Sequence, residues 1–188
     1  MKEGKYEFYG TPEGEVIISE GNTHRVFEMT DRAFIKFMLE RIQNFYPEAH
    51  KALCEVYSRS ALNRSYYEYL IVKRFVKCNF FEFDPTPDMD ENGCFKFEFV
   101  PCPMRGECKY TNVICNAKFN TTLTARETEV MKHYFNGKRA DEIADELFIS
   151  IDTVKTHKRN ALQRLNFSNM NEFMVYARKN QLYGSDTD

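Results

Sequence analysis

The chain has 188 residues, 43% of them hydrophobic, and a formal net charge of −2. That length fits one large domain or two small ones with a packed core, and the near-neutral total excludes a uniformly basic nucleic-acid coat. No run of about 18 apolar residues is present, which excludes a membrane-spanning helix. The opening MKEGKYEFYG lacks a cationic start followed by an apolar run, so a cytoplasmic chain without a secretory signal is expected.

Residues 1–30 are glycine-rich and mixed, and residues 16–18, between Gly14 and Gly21, read as a short strand. Thr30 or Asp31 can cap a helix running to about Tyr46, with Phe34, Phe37, Met38 and Phe45 at helical spacing. Pro47 suits the first turn of a second helix, with Ala49, Ala52, Leu53 and Val56 inward. Asn63 can cap a third, with Tyr66, Tyr67, Leu70, Ile71 and Phe75 on one stripe. Residues 1–77 therefore read as an aromatic-rich helical region.

The character changes over residues 78–120. Residues 78–84 and 94–100 are short aromatic runs. In the second, Phe95, Phe97 and Phe99 alternate with Lys96 and Glu98, the period of a half-buried strand. Asn92-Gly93 between the runs predicts a hairpin with a longish loop. Such a hairpin brings Cys78 level with residues 100–102 and leaves Cys94 at the loop end, roughly 25 Å away at 3.3 Å per residue. This nominates Cys78, Cys102, Cys108 and Cys115 as a thiol cluster, with Cys54 a separate, small buried or half-buried residue. Six cysteines in a cytoplasmic chain are not expected to form disulfides. Three readings stay open for the cluster: a structural Zn²⁺ held tetrahedrally, free thiols without metal, and an iron–sulfur cluster or redox switch. Asn120-Thr121-Thr122 marks the next boundary.

Residues 121–183 carry 10 Lys+Arg against 8 Asp+Glu, whereas residues 1–120 carry 16 against 18, and the tail 184–188 adds two acids. Four short amphipathic segments follow one another. Thr124 with Glu127 is a capping box opening a helix that buries Val130, Met131, Tyr134 and Phe135, and Gly137 ends it. A second helix, about 140–148, buries Ile143, Ala144, Leu147 and Phe148. Ser150 caps a third, with Asp152 at its positive end. At about 100° per residue, Val154, Ala161 and Leu165 of this helix share one line, and Lys155, Thr156, Arg159 and Gln163 fall roughly 100–200° away. Lys158 and Arg164 lie on the flanks, and residues 153–164 contain no acid. Long donors at i and i+4 on an outer face suit a major groove, where guanine presents N7 and O6. His157, off the core line, reads as half-buried. Asn169 with Glu172 caps a fourth helix, with Met170, Phe173, Met174 and Ala177 on one stripe.

The stretches LTARETEV, EIADELFIS, TVKTHKRNALQRL and EFMVYARKNQL resemble the LuxR-type (NarL or FixJ type) helix-turn-helix over about 60 residues. The resemblance implies a four-helix domain whose third helix reads double-stranded DNA and whose fourth often pairs two subunits. It places Lys155, Thr156 and Arg159 at base-contacting positions, with Thr153, Lys158, Arg164 and Thr124 toward the backbone. It implies a bacterial, nucleoid-associated regulator acting as a homodimer. Two departures stand out: Arg139 replaces the usual Ser or Thr cap, and Asn166 the usual Gly. Neither a phosphoacceptor receiver nor an acyl-homoserine-lactone module is legible in residues 1–120, and no small-molecule effector is assigned.

The expected fold is thus mainly α: an amino-terminal helical unit with a small β-hairpin and Cys-rich element, then the helix-turn-helix domain. No phosphate-cradling glycine loop, histidine-rich metal motif or nucleophile elbow is found, so an enzyme is not expected. Two functions compete: a DNA-binding regulator, and a metal- or thiol-redox-responsive regulator whose cysteines gate DNA binding.

Overall fold

The computed structural model describes residues 5–91, 93–179 and 182–183. The tail at 184–188 and Asn92 of the expected turn lie outside these residues. The chain divides into two compact units, Met1–Asn120 and Thr121–Asp188. No described helix is long and apolar enough to cross a membrane.

Unit 1 opens with three short antiparallel strands, β1 (Glu7–Gly10), β2 (Val16–Glu20) and β3 (Thr23–Val26), in that order in one sheet. Phe8 pairs with Ile18, and Phe8, Val16 and Ile18 are buried on one face, as the two-residue period of a strand requires. The expected strand at 16–18 is β2. Its neighbours gave little sequence signal, because each is four residues long and β3 is exposed throughout. Gly21, at φ 59°, supplies the left-handed turn between β2 and β3.

Three helices follow, α1 (Arg32–Phe45), α2 (Pro47–Val56) and α3 (Arg64–Asn79); α3 packs on β1 and β2, Phe34 of α1 meets Phe8 of β1, and α2 packs on α1 and α3. The Asn63 side chain accepts the Tyr66 N–H and caps α3. The inward stripe of α1 is Phe34, Ile35, Met38, Ile42 and Phe45, and Phe37 is only half-buried. On α3 the buried face is Ile71, Val72, Phe75 and Val76, so Tyr66, expected inward, is exposed, and Tyr67 and Leu70 are half-buried. Val56 of α2 is also exposed.

The expected hairpin does not form. α3 continues through Cys78 to Asn79, and the described residues of 80–100 form no strand: they make isolated bridges, Tyr6 with Met89 and Met89 with Phe95, the second flanked by bonds from Asp90 N–H to Cys94 O and Lys96 N–H to Asp88 O. Phe95 and Phe97 instead pack into an aromatic core with Tyr46, Phe75 and Phe80, with Tyr46 and Phe97 ring centroids 5.2 Å apart. Phe99 breaks the alternation, lying exposed under the Arg105 guanidinium at 4.3 Å. The fully buried Asn79 explains why the helix runs on. Its amide donates to Phe75 O and Ile114 O, and its oxygen accepts the Asn116 N–H. The last turn of α3 thereby clamps the thiol-rich loop, a task that no strand at 78–84 would perform. That loop belongs to the same unit as the helices.

Unit 2 contains α4 (Ala125–Phe135), α5 (Ala140–Leu147), α6 (Ile151–Arg164) and α7 (Met170–Lys179). Val130, Ile143, Ala144, Leu147 and Val154 form its central cluster, with Tyr134, Ala140 and Ile149 packed against it.

Candidate nucleic-acid interface

Local chemistry fixes each helix of unit 2. Thr124 Oγ1 accepts the Glu127 N–H, and the Glu127 carboxylate accepts the Thr124 N–H at 2.8 Å, closing the capping box that starts α4. Gly137, at φ 83°, ends the following turn. At the start of α5 the weak cap at Arg139 is relieved by Glu142, whose carboxylate accepts the Arg139 N–H at 2.7 Å. Ser150 Oγ accepts the Thr153 N–H and caps α6. Asn166 takes the left-handed conformation after α6, φ 58°, which its short amide tolerates. Asn169 accepts the Glu172 N–H at the start of α7.

These caps orient α6 so that its two sides do different things. Val154, Ala161 and Leu165 are essentially inaccessible, at 0%, 0% and 1% exposure. Lys155, Thr156, Arg159 and Gln163 are exposed, and His157 is half-buried. Lys155 Nζ lies 3.9 Å from Asp152, a surface pair of small energetic weight. Among the described residues Arg159 has no ion-pair partner. The outer face of α6 therefore presents a guanidinium, an ammonium, an amide and a hydroxyl with little internal competition for their hydrogen bonds.

The flanking residues are more occupied. Lys158 is half-buried with its Nζ 5.1 Å from the Tyr134 ring centroid. Thr153 Oγ1 shares a hydrogen bond with Ser150. Thr124 spends its hydroxyl on Glu127. Arg164 Nε lies 3.3 Å from the Glu127 carboxylate. Glu127 is buried, which alone would raise its pKa. The N–H and hydroxyl of Thr124 and the Arg164 charge outweigh that and hold it below the usual carboxylate range. Through Glu127, Arg164 thus ties the start of α4 to the end of α6, a link between residues 37 apart that spacing does not reveal.

Five expected core positions differ, and of these Tyr134 and Phe135 of α4 are half-buried. Phe148, placed inside by helical spacing, is 94% exposed because it ends α5 in the left-handed conformation, φ 53°. That turn swings its side chain outward next to the start of α6. On α7 the buried residues are Phe173, Tyr176 and Ala177, with Met170 and Met174 only half-buried.

In unit 1, Cys78, Cys102, Cys108 and Cys115 line one small cavity of about 40 Å³. The hairpin that nominated them is absent, yet the four come together through the Asn79 clamp on the loop. Cys94 is buried elsewhere and Cys54 lies near His50.

Sequence reasoning missed a trio of carboxyl groups, Glu7, Asp88 and Glu98, with oxygens within 4.8 Å of one another. Glu7 accepts the Asp84 and Asp88 N–H groups, Asp88 the Phe8 N–H, and Glu98 those of Phe81 and Glu82. They are internal acceptors for a loop without regular structure. Separations of 81 and 91 residues left no pattern to find.

Residues 121–177 match the model of the family described as bacterial regulatory proteins, luxR family. The chain is similar to the transcriptional regulatory protein LiaR of Bacillus subtilis, at 45% identity over 67 residues, covering 36% of this chain and 32% of LiaR. It is also similar to the CsgBAC operon transcriptional regulatory protein of Escherichia coli, at 34% identity over 89 residues, 41% of either chain. The oxygen regulatory protein NreC of Staphylococcus carnosus shares 38% over 60 residues, 32% of this chain and 28% of NreC. The chain therefore spans less than half the length of these relatives. No solved structure matches it. The carboxyl-terminal stretch at residues 121–177 is a luxR-family domain.

Proposed function

We propose, from the luxR-family domain at residues 121–177, that this chain is a bacterial, cytoplasmic and nucleoid-associated transcriptional regulator that binds double-stranded DNA sequence-specifically with α6 in the major groove. The two-sided character of α6 carries the reading: a sealed stripe of Val154, Ala161 and Leu165 against an open row of Lys155, Thr156, Arg159 and Gln163. Lys155 and Arg159, one turn apart, are the donors that read base edges, and Thr156 and Gln163 border them. Thr153 and Lys158 face the phosphates, which contribute salt-dependent affinity without sequence choice. Arg164 and Thr124 act mainly by holding α6 against α4, with the remaining exposed part of Arg164 available to a phosphate. Homodimerisation through α7 on an inverted repeat is supported by the exposed Val175 on its outer side.

Selection of bound sequences from a random duplex pool, followed by titration of variants, tests this. Lys155→Ala and Arg159→Ala are expected to reduce discrimination between selected and scrambled sites by about 1–3 kcal/mol. Lys158→Ala is expected to weaken all sequences alike and lower the salt slope by about 1. A dimer predicts a palindromic site. If all three variants retain wild-type specific binding, α6 is not the reading helix.

A second reading makes the thiols a metal- or redox-responsive gate on DNA binding. One observation favours it, the convergence of Cys78, Cys102, Cys108 and Cys115 on a single cavity.

A further inference from the structure

The thiol-rich loop is the part of unit 1 whose order local structure explains least. Residues 80–120 contain no helix or strand among the described residues. Loops of that length inside a compact unit are uncommon without a staple. Over residues 102–116 the backbone closes a series of tight turns: Cys102 O accepts the Arg105 N–H, Met104 O the Cys108 N–H, and Cys108 O the Thr111 N–H. Gly106, Asn112 and Asn116 take left-handed conformations. The Asn79 bonds to Ile114 O and Asn116 N–H bracket Cys115 and bring it to the turn of α3 that carries Cys78.

The chemistry of the cavity is one-sided. Its lining holds four thiols and no carboxylate, and Arg74, Lys77 and Arg105 supply three cationic side chains. Lys77 Nζ donates to Gly14 O and Arg105 Nη2 to Val100 O, so these two cations rest on backbone carbonyls. Four thiolates on a divalent ion carry a net charge of −2, and the cations offset it. Arg105 also keeps its Nε buried with no hydrogen-bond partner among the described residues, a donor that a thiolate sulfur would satisfy.

We infer that Cys78, Cys102, Cys108 and Cys115 form a tetrathiolate site that binds one Zn²⁺ and staples the irregular loop to the end of α3. Thiolates are the soft donors zinc takes in closed structural sites, and four of them complete its tetrahedron. No three of the sulfurs lie within 4.8 Å of one another. A tetrathiolate zinc site has sulfur–sulfur edges of about 3.8 Å from its 2.3 Å bonds, so binding draws the loop thiols inward. The exposed Cys102 has the most freedom to turn. The thiol protons leave to solvent, so binding weakens as pH falls.

The inference is independent of the DNA reading, and its test uses no DNA. The full chain, purified under reducing conditions from zinc-supplemented medium, is expected to hold one zinc per chain by elemental analysis. Replacement by cobalt(II) is expected to give the intense visible absorption and thiolate-to-cobalt charge-transfer bands of a tetrahedral sulfur site. Cys108→Ser and Cys115→Ser are expected to lose the metal, and Cys54→Ser and Cys94→Ser, which lie off the cavity, to keep it. Chelation is expected to lower the Tm of the full chain, with recovery on adding zinc back. Soluble wild-type protein without stoichiometric metal overturns the inference. So does iron with inorganic sulfide in place of zinc, or retention of zinc by the Cys108→Ser, Cys115→Ser double variant. Should the serine variants fail to fold, the cobalt spectrum of the wild-type chain decides, because it reports the thiolate ligands directly.

Discussion

Asp88 shows what a single buried group does to this molecule. It is 1% exposed, beside Glu7 and Glu98 and near Asp84, with no cation among them to compensate. Burial first, then the neighbouring carboxylates, pushes its pKa up to about 9, against the N–H of Phe8, which pulls it down. Burial raises Glu7 too. The sign follows from linkage: between the unfolded value of 3.8 and the folded one, the native state binds more protons than the unfolded chain. Stability from Asp88 is therefore complete below about pH 4 and is lost progressively as pH rises toward about 9. Asp88→Asn keeps an oxygen for the Phe8 N–H and adds no charge. It is expected to flatten that slope and raise stability above pH 7, which urea titrations across pH would read. An unchanged slope would remove the charge argument. None of this was legible in the sequence, where three acids spread over 91 residues look like solvated surface. Phe148 was misread for a related reason: helical spacing assigns it inward, but one left-handed backbone step turns it out.

Among elements, the ion pair between α4 and α6 joins two helices that local spacing does not connect. Glu127 receives two hydrogen bonds from Thr124 and the charge of Arg164, while its side chain is 4% exposed. Glu127→Ala removes a cap and leaves Arg164 without its carboxylate. Because Arg164 is about half exposed, the cost is nearer ~1–3 kcal/mol than the larger figure for a fully buried pair. Glu127→Gln is expected to recover part of that. The wild-type contribution should fade as pH falls through the lowered Glu127 pKa, since a depressed carboxyl stabilises only above its unfolded value. Denaturation monitored by unit 2 signals checks both, and equal stability of the Ala variant would show the link to be idle. The capping half of this arrangement was readable from Thr124 and Glu127 three residues apart. The Arg164 half was not, because it depends on where a second helix ends.

Across the whole molecule, the chain divides into two compact units. Residues 121–183 carry the basic excess and the luxR-family match, and Met1–Asn120 carries the thiols and the acid trio. If the thiols gate DNA binding, oxidant or chelator should shift the Kd of the full chain for a selected site by at least about ten-fold, or about 1.4 kcal/mol. A fragment of residues 121–183 should not respond. Equal indifference of both would leave the thiols a purely structural task. By itself the sequence determined the caps, the turn residues and the two-sided third helix of unit 2, because those signals act over three to eleven residues and need no distant partner. Only the tertiary structure decided that α3 runs through Cys78, that no hairpin forms, that four cysteines share a cavity and that three carboxyl groups meet. Each of those depends on packing between segments far apart in the chain, where side-chain fit and satisfaction of buried polar groups override local preference.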